Sequence, residues 1–359
     1  MATRVMMIAG EASGDLHGSG VVRELRRQRK GIEIFGVGGD RMRQAGMDLV
    51  YHVNELGFMG FVEVVKHLPL IRSVERTLAQ LLKFKRPDVV VLIDYPGFNL
   101  RFAKTAKKFG IPVVYYISPQ VWAWHRSRVK SMRGVVDLML TVFEFETAFY
   151  RKEGIEAECV GHPLLESLEH SLPKKQFQQR YGIDSGKPIL ALLPGSRKQE
   201  IQNIFPVMLS AGRELAAGRG MELAVGVAPT LEERYFRTMF TLDGVRLVKG
   251  ATYDLMKHAD FAIVTSGSAT LETALFGTPI VVLYKTSWLT YLLGRMLIRV
   301  KNIGLVNIVA GKTVVPEFIQ HRATPGRIVS TVTDLLDTPG AVAAIKKELA
   351  GVRSLLGTK

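Results

Sequence analysis

The sequence predicts an α/β protein made of two Rossmann-like domains that face each other across a cleft. Short apolar, β-branched runs alternate about ten times with amphipathic helical stretches, which is the pattern of parallel α/β sheets. The pattern restarts, because ILALLPGSR opens a strand, turn and helix in the second half as VMMIAGEASGDLHG does in the first. The segment 164–188 between the halves is polar and helical in character. We therefore expect domains at 1–165 and 166–339, with the active site in the cleft between them.

Each half supplies five candidate strands, and their composition indicates burial on both faces. They are continuous apolar runs bounded by Gly or Pro, as expected for parallel strands covered by helices. The candidates are 5–10, 32–37, 88–94, 112–118 and 138–143 in the first half, and 189–195, 223–229, 245–250, 261–267 and 279–284 in the second. Two helical segments follow the last strand. The residues leave open whether the helices at about 340–359 stay with the second domain or cross back onto the first.

The composition describes a soluble chain, or one bound to a membrane only at its surface. Of 359 residues, 47% are hydrophobic, yet no uncharged apolar stretch approaches the roughly 20 residues needed to span a bilayer. The one cysteine, Cys159, excludes an internal disulfide, indicates a reducing cytoplasm and is expected to be a small buried side chain. The net charge of +15 fits phosphorylated substrates, an anionic membrane surface, nucleic acid or simply a basic enzyme surface. Because the basic residues are scattered, nucleic acid is the least favoured.

Two turns in the second half have the composition of a phosphate-binding site. Each ends a strand with small residues and opens a helix, whose free N–H groups and positive dipole end favour an anion. The first supplies an arginine that can grip phosphate with two hydrogen bonds, and the second precedes a glutamate within reach of a ribose diol. Plain tight turns are the alternative, but two such turns favour a sugar nucleotide. The residues are Gly195, Ser196 and Arg197 in the first turn, and Ser266, Gly267, Ser268 and Glu272 in the second.

Motifs for other phosphate-bearing ligands are absent, and we expect neither a cofactor nor a metal. A dinucleotide fold needs G-x-G-x-x-G after the first strand, and AGEASGDLHGSG lacks that spacing. No Walker A sequence occurs, and no His and Cys cluster has metal-ligand spacing. The opening loop 9–20 also carries Glu11 and Asp15, which repel phosphate. We therefore expect it to form the other wall of the cleft, with its glycines allowing close approach to the reacting sugars.

The first half offers a candidate base and a candidate acceptor surface. Asp94 ends the apolar strand VLID, so its carboxylate is expected at the cleft with a pKa raised by partial burial, as suits a general base. A helix cap or a structural acid is the alternative. The loop PQVWAWHR can present a surface to a sugar or acyl chain, although its tryptophans can equally be structural. Its candidates are Gln120, Trp122 and His125.

A broad apolar surface is predicted on the helical stretch 57–87. It is wider than the single stripe that a domain helix needs, and basic residues lie among and beyond it. We interpret it as a contact with lipid or an acyl chain, with interdomain core as the alternative. The segment 287–301 has the same mixed character. The residues expected at the membrane or acyl chain are Phe58, Met59, Phe61, Val62, Val65 and Leu68.

Seven motifs between residues 8 and 311 resemble the lipid-A-disaccharide synthase family. In order they are IAGEASGDLHG, MGFVEV, DYPGFN, YISPQVWAWHRSR, LLPGSRKQEI, TSGSATLE and NIVAG. The resemblance implies a GT-B glycosyltransferase of lipid A biosynthesis that needs no metal. It implies transfer from UDP-2,3-diacylglucosamine to 2,3-diacylglucosamine 1-phosphate (lipid X), with inversion at the anomeric carbon and release of UDP. Members of the family work peripherally on the cytoplasmic face of the inner membrane of Gram-negative bacteria and can form homodimers through swapped C-terminal segments.

Carried over position by position, the resemblance assigns roles to particular residues. Asp94 matches the family's essential aspartate, the base on the acceptor 6-hydroxyl, and Arg197 matches the arginine near the donor diphosphate. The remaining matches are Glu11 and Ser13 on the cleft loop, and Glu272 and Asn307 near the UDP.

The sequence departs from the family pattern at two positions beside the acceptor. Many members have Asp where Gly97 stands, and Ser is common at Gln120, which leaves acyl and acceptor selectivity open. Within the fold, the alternative functions are a UDP-GlcNAc epimerase or a peptidoglycan-type glycosyltransferase. A nucleic-acid-binding module is the alternative from another class, and it predicts steeply salt-dependent binding.

Overall fold

Two parallel sheets organise the chain, one in each of the units that its internal contacts separate, Met1–Pro163 and Leu164–Lys359. The α/β class predicted from the alternation of strands and helices is therefore confirmed. The computed structural model describes residues 3–55, 67–119, 121–124, 126–163, 165, 172–286 and 302–356.

The first unit is a doubly wound sheet. Its strands are β1 (Arg4–Ala9), β2 (Glu33–Gly38), β3 (Asp48–His52), β4 (Val89–Ile93), β5 (Val113–Tyr116), β6 (Leu138–Thr141) and β7 (Ala157–Cys159). All are parallel and lie in the order β3-β2-β1-β4-β5-β6-β7. Its described helices are α1 (Ala12–Gln28), α2 (Asp40–Gln44), α3 (Leu68–Lys85), α4 (Pro96–Lys108), α5 (Val121–Trp124) and α6 (Glu144–Lys152).

Successive residues of β1 pack into cores on opposite faces of this sheet. Met6 and Ile8 pack with side chains of α3 and α4, whereas Val5, Met7 and Ala9 pack with side chains of α1 and α2. All five are buried, because side chains alternate across a strand and helices cover both faces. This double burial is the reason that an unbroken apolar run marks the strand in the sequence.

The second unit repeats the design with six parallel strands. They are β8 (Ile189–Leu193), β9 (Glu222–Val227), β10 (Val245–Lys249), β11 (Phe261–Thr265), β12 (Ile280–Tyr284) and β13 (Glu317–Ile319), in the order β10-β9-β8-β11-β12-β13. Its described helices are α7 (Lys174–Tyr181), α8 (Lys198–Arg219), α9 (Glu233–Met239), α10 (Thr252–His258), α11 (Ser268–Leu275), α12 (Leu305–Ala310), α13 (Pro325–Asp337) and α14 (Ala341–Ser354). Helix α14 packs against α11, α12 and α13 of this same unit.

All ten predicted strands occur, and three short ones were missed. These are β3, β7 and β13, each at an edge of its sheet and each with few fully buried residues. An edge strand of three to five residues carries no continuous apolar run, so it gives little signal in the sequence. Cys159, at the end of β7, is half-buried, which is more exposed than expected.

Most of the predicted membrane or acyl-chain surface lies outside the described residues. This holds for Phe58, Met59, Phe61, Val62 and Val65, whereas Leu68 is the half-buried first residue of α3. Within the described part of the chain, no single helix is long and apolar enough to cross a membrane. Helices α13 and α14 have the necessary length and apolar character only when taken together, and the pair is bent by 96°.

Asp15, which the sequence analysis placed in a loop, lies in the first turn of α1 and caps another helix of the first unit. Its carboxylate oxygens accept hydrogen bonds from the backbone N–H groups of Gly39 (2.7 Å), Met42 (3.0 Å) and Arg41 (3.2 Å) at the start of α2. The side chain is buried, so these N–H groups depend on it to replace water. Asp15 thus ties α1 to α2.

We predict that Asp15→Ala lowers the free energy of unfolding by about 2–4 kcal/mol, because several buried N–H groups lose a charged acceptor. Urea denaturation followed by circular dichroism measures this. The control is Asp40→Ala, since Asp40 forms an exposed ion pair with Arg43 and its loss is expected to cost less than about 1 kcal/mol. Equal losses in the two variants would contradict the capping role.

Candidate functional site

The middle of the first sheet brings together two segments that the sequence singled out. Strands β1 and β4 are neighbours, with Ala9 paired to Ile93, and the helices that follow them cover opposite faces of the sheet. Ligands of open α/β sheets bind at the carboxyl ends of the strands where the winding reverses in this way. The predicted opening loop 9–20 is a loop only at Gly10 and Glu11, because β1 ends at Ala9 and α1 begins at Ala12. These two residues follow β1 and the DYPG segment, 94–97, follows β4, so both lie at this point.

Two glycines of the segment 9–20, Gly10 before α1 and Gly18 within it, are explained by packing inside the unit. A side-chain carbon at Gly10 would overlap the Tyr95 ring, and one at Gly18 would lie 2.8 Å from atoms of Ile93 and Met42. The expectation that these glycines give room to the reacting sugars is therefore wrong for both positions. Their close neighbours are side chains of the same unit.

The backbone at Asp94 is held in an unusual conformation. Asp94 and Tyr95 have φ angles of +46° and +48°, a left-handed region that residues other than glycine seldom adopt. The Asp94 carbonyl accepts hydrogen bonds from the side-chain amide of Asn99 (2.7 Å) and the hydroxyl of Tyr115 (2.6 Å). Both donors are fully buried. They stabilise the turn that directs the Asp94 side chain, and their only signal in the sequence was their place in the DYPGFN and YYIS motifs.

The Asp94 carboxyl has the properties expected of a base, and Glu11 lies close by. Burial raises the pKa of Asp94, against a smaller opposing effect of a hydrogen bond from the Tyr95 backbone N–H. Glu11, just before α1, adds its negative charge to burial in raising the pKa of the Tyr95 hydroxyl. Ser13 is exposed in the first turn of α1. Asp94, Tyr95 and Glu11 thus form one group at the carboxyl end of the sheet.

Trp122 of the WAW motif is anchored by a buried glutamate that the sequence analysis missed. Its indole N–H donates to Oε1 of Glu146 at 2.9 Å, and its ring packs edge-on against Phe145 at 5.0 Å. Glu146 is 1% exposed. Gln120 and His125, the other two candidates on this loop, lie outside the described residues.

The two small-residue turns of the second half are neighbours, as a shared ligand would require. They follow β8 and β11, which pair with Leu193 opposite Val264 in the middle of the second sheet. A side-chain carbon at Gly195 would lie 3.0 Å from the Thr265 side chain. Gly267 has open space around it but a φ of +147°, so it is needed for its backbone conformation. This is again the point where the winding of the sheet reverses.

Arg197 stands at the start of α8 with its guanidinium half in solvent. Its Nη1 donates to Oε1 of Glu200 at 2.8 Å, and its side chain is 54% exposed. Tyr284, at the end of β12, lies close enough for both charges to affect it, since Glu200 raises the pKa of its hydroxyl and Arg197 lowers it, after the larger effect of burial. An exposed ion pair of this kind is weak, so Arg197 can turn to an anionic ligand at little cost.

Ser266, Ser268 and Glu272 have different surroundings. The Ser266 hydroxyl donates to the backbone carbonyl of Ile303 at 2.9 Å, so it ties the turn to the segment before α12. Burial raises the pKa of Glu272, one turn into α11, while a hydrogen bond with Ser268 acts in the opposite direction. Ser268 and Glu272 therefore form a polar pair at the start of α11.

Asn307 uses all of its hydrogen-bonding capacity within the protein. Its amide nitrogen donates to the Val315 carbonyl and to Glu317, while its oxygen accepts from the N–H groups of Val314 and Val315, all at 2.7–3.0 Å. The side chain is fully buried. It therefore organises the loop 313–315, and any influence on a bound nucleotide is exerted through that loop.

We predict that Asn307→Ala lowers the free energy of unfolding by about 2–3 kcal/mol in the absence of nucleotide, because two backbone N–H groups lose their acceptor. Urea denaturation of the free protein measures this. Asn302→Ala is the matched control, since the Asn302 amide oxygen accepts the Thr313 hydroxyl at an exposed site. A residue that merely contacted the nucleotide would leave the stability of the free protein unchanged, and that result would contradict the structural role.

Two kinds of positive group in the second unit can neutralise a diphosphate. One is the Arg197 guanidinium, and the other is the set of free N–H groups at the starts of α8 and α11, where the helix dipoles add positive charge. Within the described ranges, no three His, Cys, Asp or Glu side chains come together as they would around a metal ion.

Comparison with protein families assigns residues 5–348 to the model of lipid-A-disaccharide synthetase. Curated relatives include the lipid-A-disaccharide synthase of Syntrophus aciditrophicus (strain SB), 45% identical over 98% of this chain and 93% of that protein. Another is the synthase of Geobacter sulfurreducens, 41% identical over 99% of this chain and 93% of that protein.

Among solved structures, the chain is similar to sugar-nucleotide enzymes of the same architecture. UDP-GlcNAc 2-epimerase from Neisseria meningitidis bound to UDP-GlcNAc matches with a TM-score of 0.65 and 15% identity, over 99% of this chain and 97% of that one. The glycotransferase of kitacinnamycin matches with a TM-score of 0.67 and 14% identity, over 99% and 95%. These similarities establish the predicted GT-B fold class, and at 14–15% identity they say nothing about the substrate of this chain.

Proposed function

The chain belongs to the lipid-A-disaccharide synthase family, and from this premise we propose that it joins UDP-2,3-diacylglucosamine to 2,3-diacylglucosamine 1-phosphate. It is a glycosyltransferase of lipid A biosynthesis. The proposal adds the two acylated substrates, inversion at the anomeric carbon and independence of metal. The observation that carries it is that each sheet places candidate groups at its own switch point: a buried carboxylate with a raised pKa in the first sheet, and two neighbouring small-residue turns that open helices in the second.

We infer that the UDP part of the donor binds the second unit. The N–H groups that follow Gly195 and Gly267 would receive the diphosphate, and Arg197 would leave Glu200 to grip it. Ser196 and Ser268 add hydroxyl donors, and Glu272 is the acceptor for the ribose hydroxyls. Asn307 and Ser266 would act by holding the neighbouring loops.

The acceptor sugar is assigned to the first unit, where Asp94 is the base. The acceptor 6-hydroxyl oxygen attacks the donor C1 and forms the new glycosidic bond. As it does so, its proton passes to the Asp94 carboxylate, and the bond from C1 to the phosphate oxygen breaks with its electron pair leaving on UDP. Attack from the side opposite UDP inverts C1. Glu11, Ser13, Gln120, Trp122 and His125 are the proposed surroundings of the acceptor.

The charge that develops on UDP is stabilised by protein groups in this proposal. Arg197 and the two helix N-termini follow neighbouring strands of one sheet, and positive groups that are in place before the reaction begins lower its barrier most effectively. They supply the positive charge that a divalent ion supplies in other glycosyltransferases. The reaction is therefore proposed to proceed without metal.

We further propose that the protein works at the anionic inner-membrane surface. Its net charge of +15 favours binding to such a surface, and its acylated substrates reside in the bilayer. The apolar and basic sequence around Phe58–Leu68 is the proposed contact. Scattered basic residues and a sugar-nucleotide site give no support to nucleic acid as a partner, and a homodimer would follow the family pattern.

The decisive experiment measures UDP release on mixing the protein with lipid X and the acylated UDP-sugar in EDTA. We expect UDP release to require both substrates and to be accompanied by formation of the tetraacyl disaccharide 1-phosphate. UDP-GlcNAc in place of the acylated donor is the control and is expected to give little product. Absence of product with the acylated pair would overturn the proposal, and conversion of UDP-GlcNAc to its C2 epimer would establish the alternative epimerase instead.

A further inference from the structure

The turn that follows β5, formed by residues 117–119 and the start of α5 at Val121 and Trp122, is strained and yet well supported. Ile117 has a φ of +62°, a left-handed conformation that is especially unfavourable for a β-branched residue. Such strain costs about 1–3 kcal/mol and persists only where neighbouring groups impose it. The Ile117 N–H donates to the Leu140 carbonyl at 3.0 Å, which fixes one end of the turn to β6.

Two side chains of α6, one helical turn apart, hold the rest of this turn. The Glu146 carboxyl accepts the Trp122 indole N–H at 2.9 Å, and the Tyr150 hydroxyl donates to the Pro119 carbonyl at 2.6 Å. Residues four apart lie on the same face of a helix, and both side chains are buried. Helix α6 therefore clamps the turn at two points.

The same turn is linked to Asp94 through the neighbouring strand. Strands β4 and β5 pair with Ile93 opposite Tyr116, and the Tyr115 hydroxyl donates to the Asp94 carbonyl at 2.6 Å. Tyr115 lies within electrostatic reach of both Asp94 and Tyr150, since each raises the pKa of its hydroxyl after the larger effect of burial. Glu146 contributes to the raised pKa of Tyr150 in the same way. A buried series of polar side chains thus runs from Glu146 to the backbone of Asp94.

We propose that Glu146 and Tyr150 are positioning residues that hold the Trp122 turn beside Asp94 in the arrangement that the acceptor requires. The proposal rests on the proposed function, because it names residues that act on the same acceptor side. Glu146 itself is buried and touches neither substrate nor the reacting atoms. Its effect is exerted through Trp122, and that of Tyr150 through the Pro119 carbonyl.

The surroundings of Glu146 suit a neutral carboxyl group. Oε2 is buried without a hydrogen-bond partner, and Glu146 forms no ion pair within the described part of the chain. The titratable group that acts on it is the hydroxyl of Tyr150 on α6, and Ser118 and Trp122 are its uncharged polar neighbours. Burial raises the pKa of Glu146 to about 7, against the smaller opposing effects of the Trp122 indole, the Ser118 hydroxyl and the backbone N–H groups of Val142 and Phe143. Ionisation of Glu146 near neutral pH is therefore expected to change the electrostatic environment of the Trp122 indole.

The kinetic test compares Glu146→Ala, Glu146→Gln and the control Glu144→Ala, whose side chain is exposed on the same helix. UDP release gives KM for lipid X and for the acylated UDP-sugar. In Glu146→Ala we expect kcat/KM for lipid X to fall at least tenfold, with KM for the donor changed less than twofold. Glu146→Gln keeps an acceptor for the indole and is expected within threefold of the parent protein, as is Glu144→Ala. Unchanged kinetics in Glu146→Ala, or no rescue by Gln, would overturn the proposal.

A spectroscopic test stands apart from activity and covers the case in which Glu146→Ala does not fold. With Trp124 and Trp288 replaced by Phe, the emission of Trp122 is expected to titrate near pH 7, and Glu146→Gln is expected to abolish that titration. A titration that persists in Glu146→Gln would overturn the proposal. The two proposals can fail separately. If the parent protein were inactive but its Trp122 emission still titrated through Glu146, the proposed function would be contradicted, whereas the contact of Glu146 with Trp122 would be supported.

Discussion

Asp94→Asn is expected to fold normally and to lose about 10²–10⁴-fold in kcat, the range supplied by a general base. The amide has nearly the shape of the carboxylate but cannot take the proton of the acceptor hydroxyl. The structural hydrogen bonds at this residue, from Asn99 and Tyr115, reach its backbone carbonyl, so they survive the substitution. UDP release at saturating substrate measures the loss, and circular dichroism verifies the fold.

The pH dependence of kcat offers an independent check on Asp94. Only the ionised carboxylate accepts a proton, so kcat is expected to fall as the pH decreases through the pKa of Asp94. Because burial raises that pKa, the decline begins at a higher pH than it would for an exposed aspartate. Asp48→Asn is the control, since Asp48 is exposed at the start of β3. Turnover of Asp94→Asn within threefold of the parent protein would remove Asp94 from the role of base.

Arg197→Ala is expected to lower kcat/KM for the donor by about 10–100-fold. A hydrogen bond between charged groups contributes about 1.5–3 kcal/mol, and about 1.4 kcal/mol corresponds to a factor of ten. The effect is expected in kcat as well as KM, because negative charge on UDP increases as the glycosidic bond to it breaks. Initial rates of UDP release at varied donor concentration measure both constants.

Two further variants sharpen the test of Arg197. Arg197→Lys is expected to recover part of the loss, since an ammonium group keeps the charge but not the two-pronged geometry. Arg213→Ala is the matched control, because Arg213 is exposed on the same helix and donates to the Thr241 carbonyl. If Arg213→Ala weakened the reaction as much as Arg197→Ala, a general effect of positive charge would replace a specific contact with the diphosphate.

The sequence was most informative where the structural role of a residue depends on its immediate neighbours along the chain. Ten strands were predictable because each is an apolar run of about five residues buried on both faces. The turns at Gly195 and Gly267 were predictable because a strand, small residues and a helix follow one another directly. Arg197 and Asp94 were recognisable in the same way, since each stands at the end of a strand.

The sequence misled or was silent where the partner is distant along the chain. Gly10 suggested room for a ligand, but its neighbour is the ring of Tyr95. Nothing in the sequence indicated that the Asn307 side chain is bonded to residues 314, 315 and 317, and its place near the UDP stays a prediction. Glu146 drew no notice because nothing in VFEFETAFY distinguishes a buried acid from the exposed Glu144 two residues earlier.

By itself, then, the sequence determined the α/β class, the family and the types of residue at the ends of the strands. These follow from local hydrophobic pattern and from motifs, which act over a few residues. The tertiary structure decided which of those residues stand together. Pairing of β1 with β4 and of β8 with β11 brings each pair of loops to one place, and burial in the first unit raises the pKa of Asp94 and of Glu146. Hydrogen bonding and desolvation depend on the distance between groups in space, and that distance cannot be read from their separation along the chain.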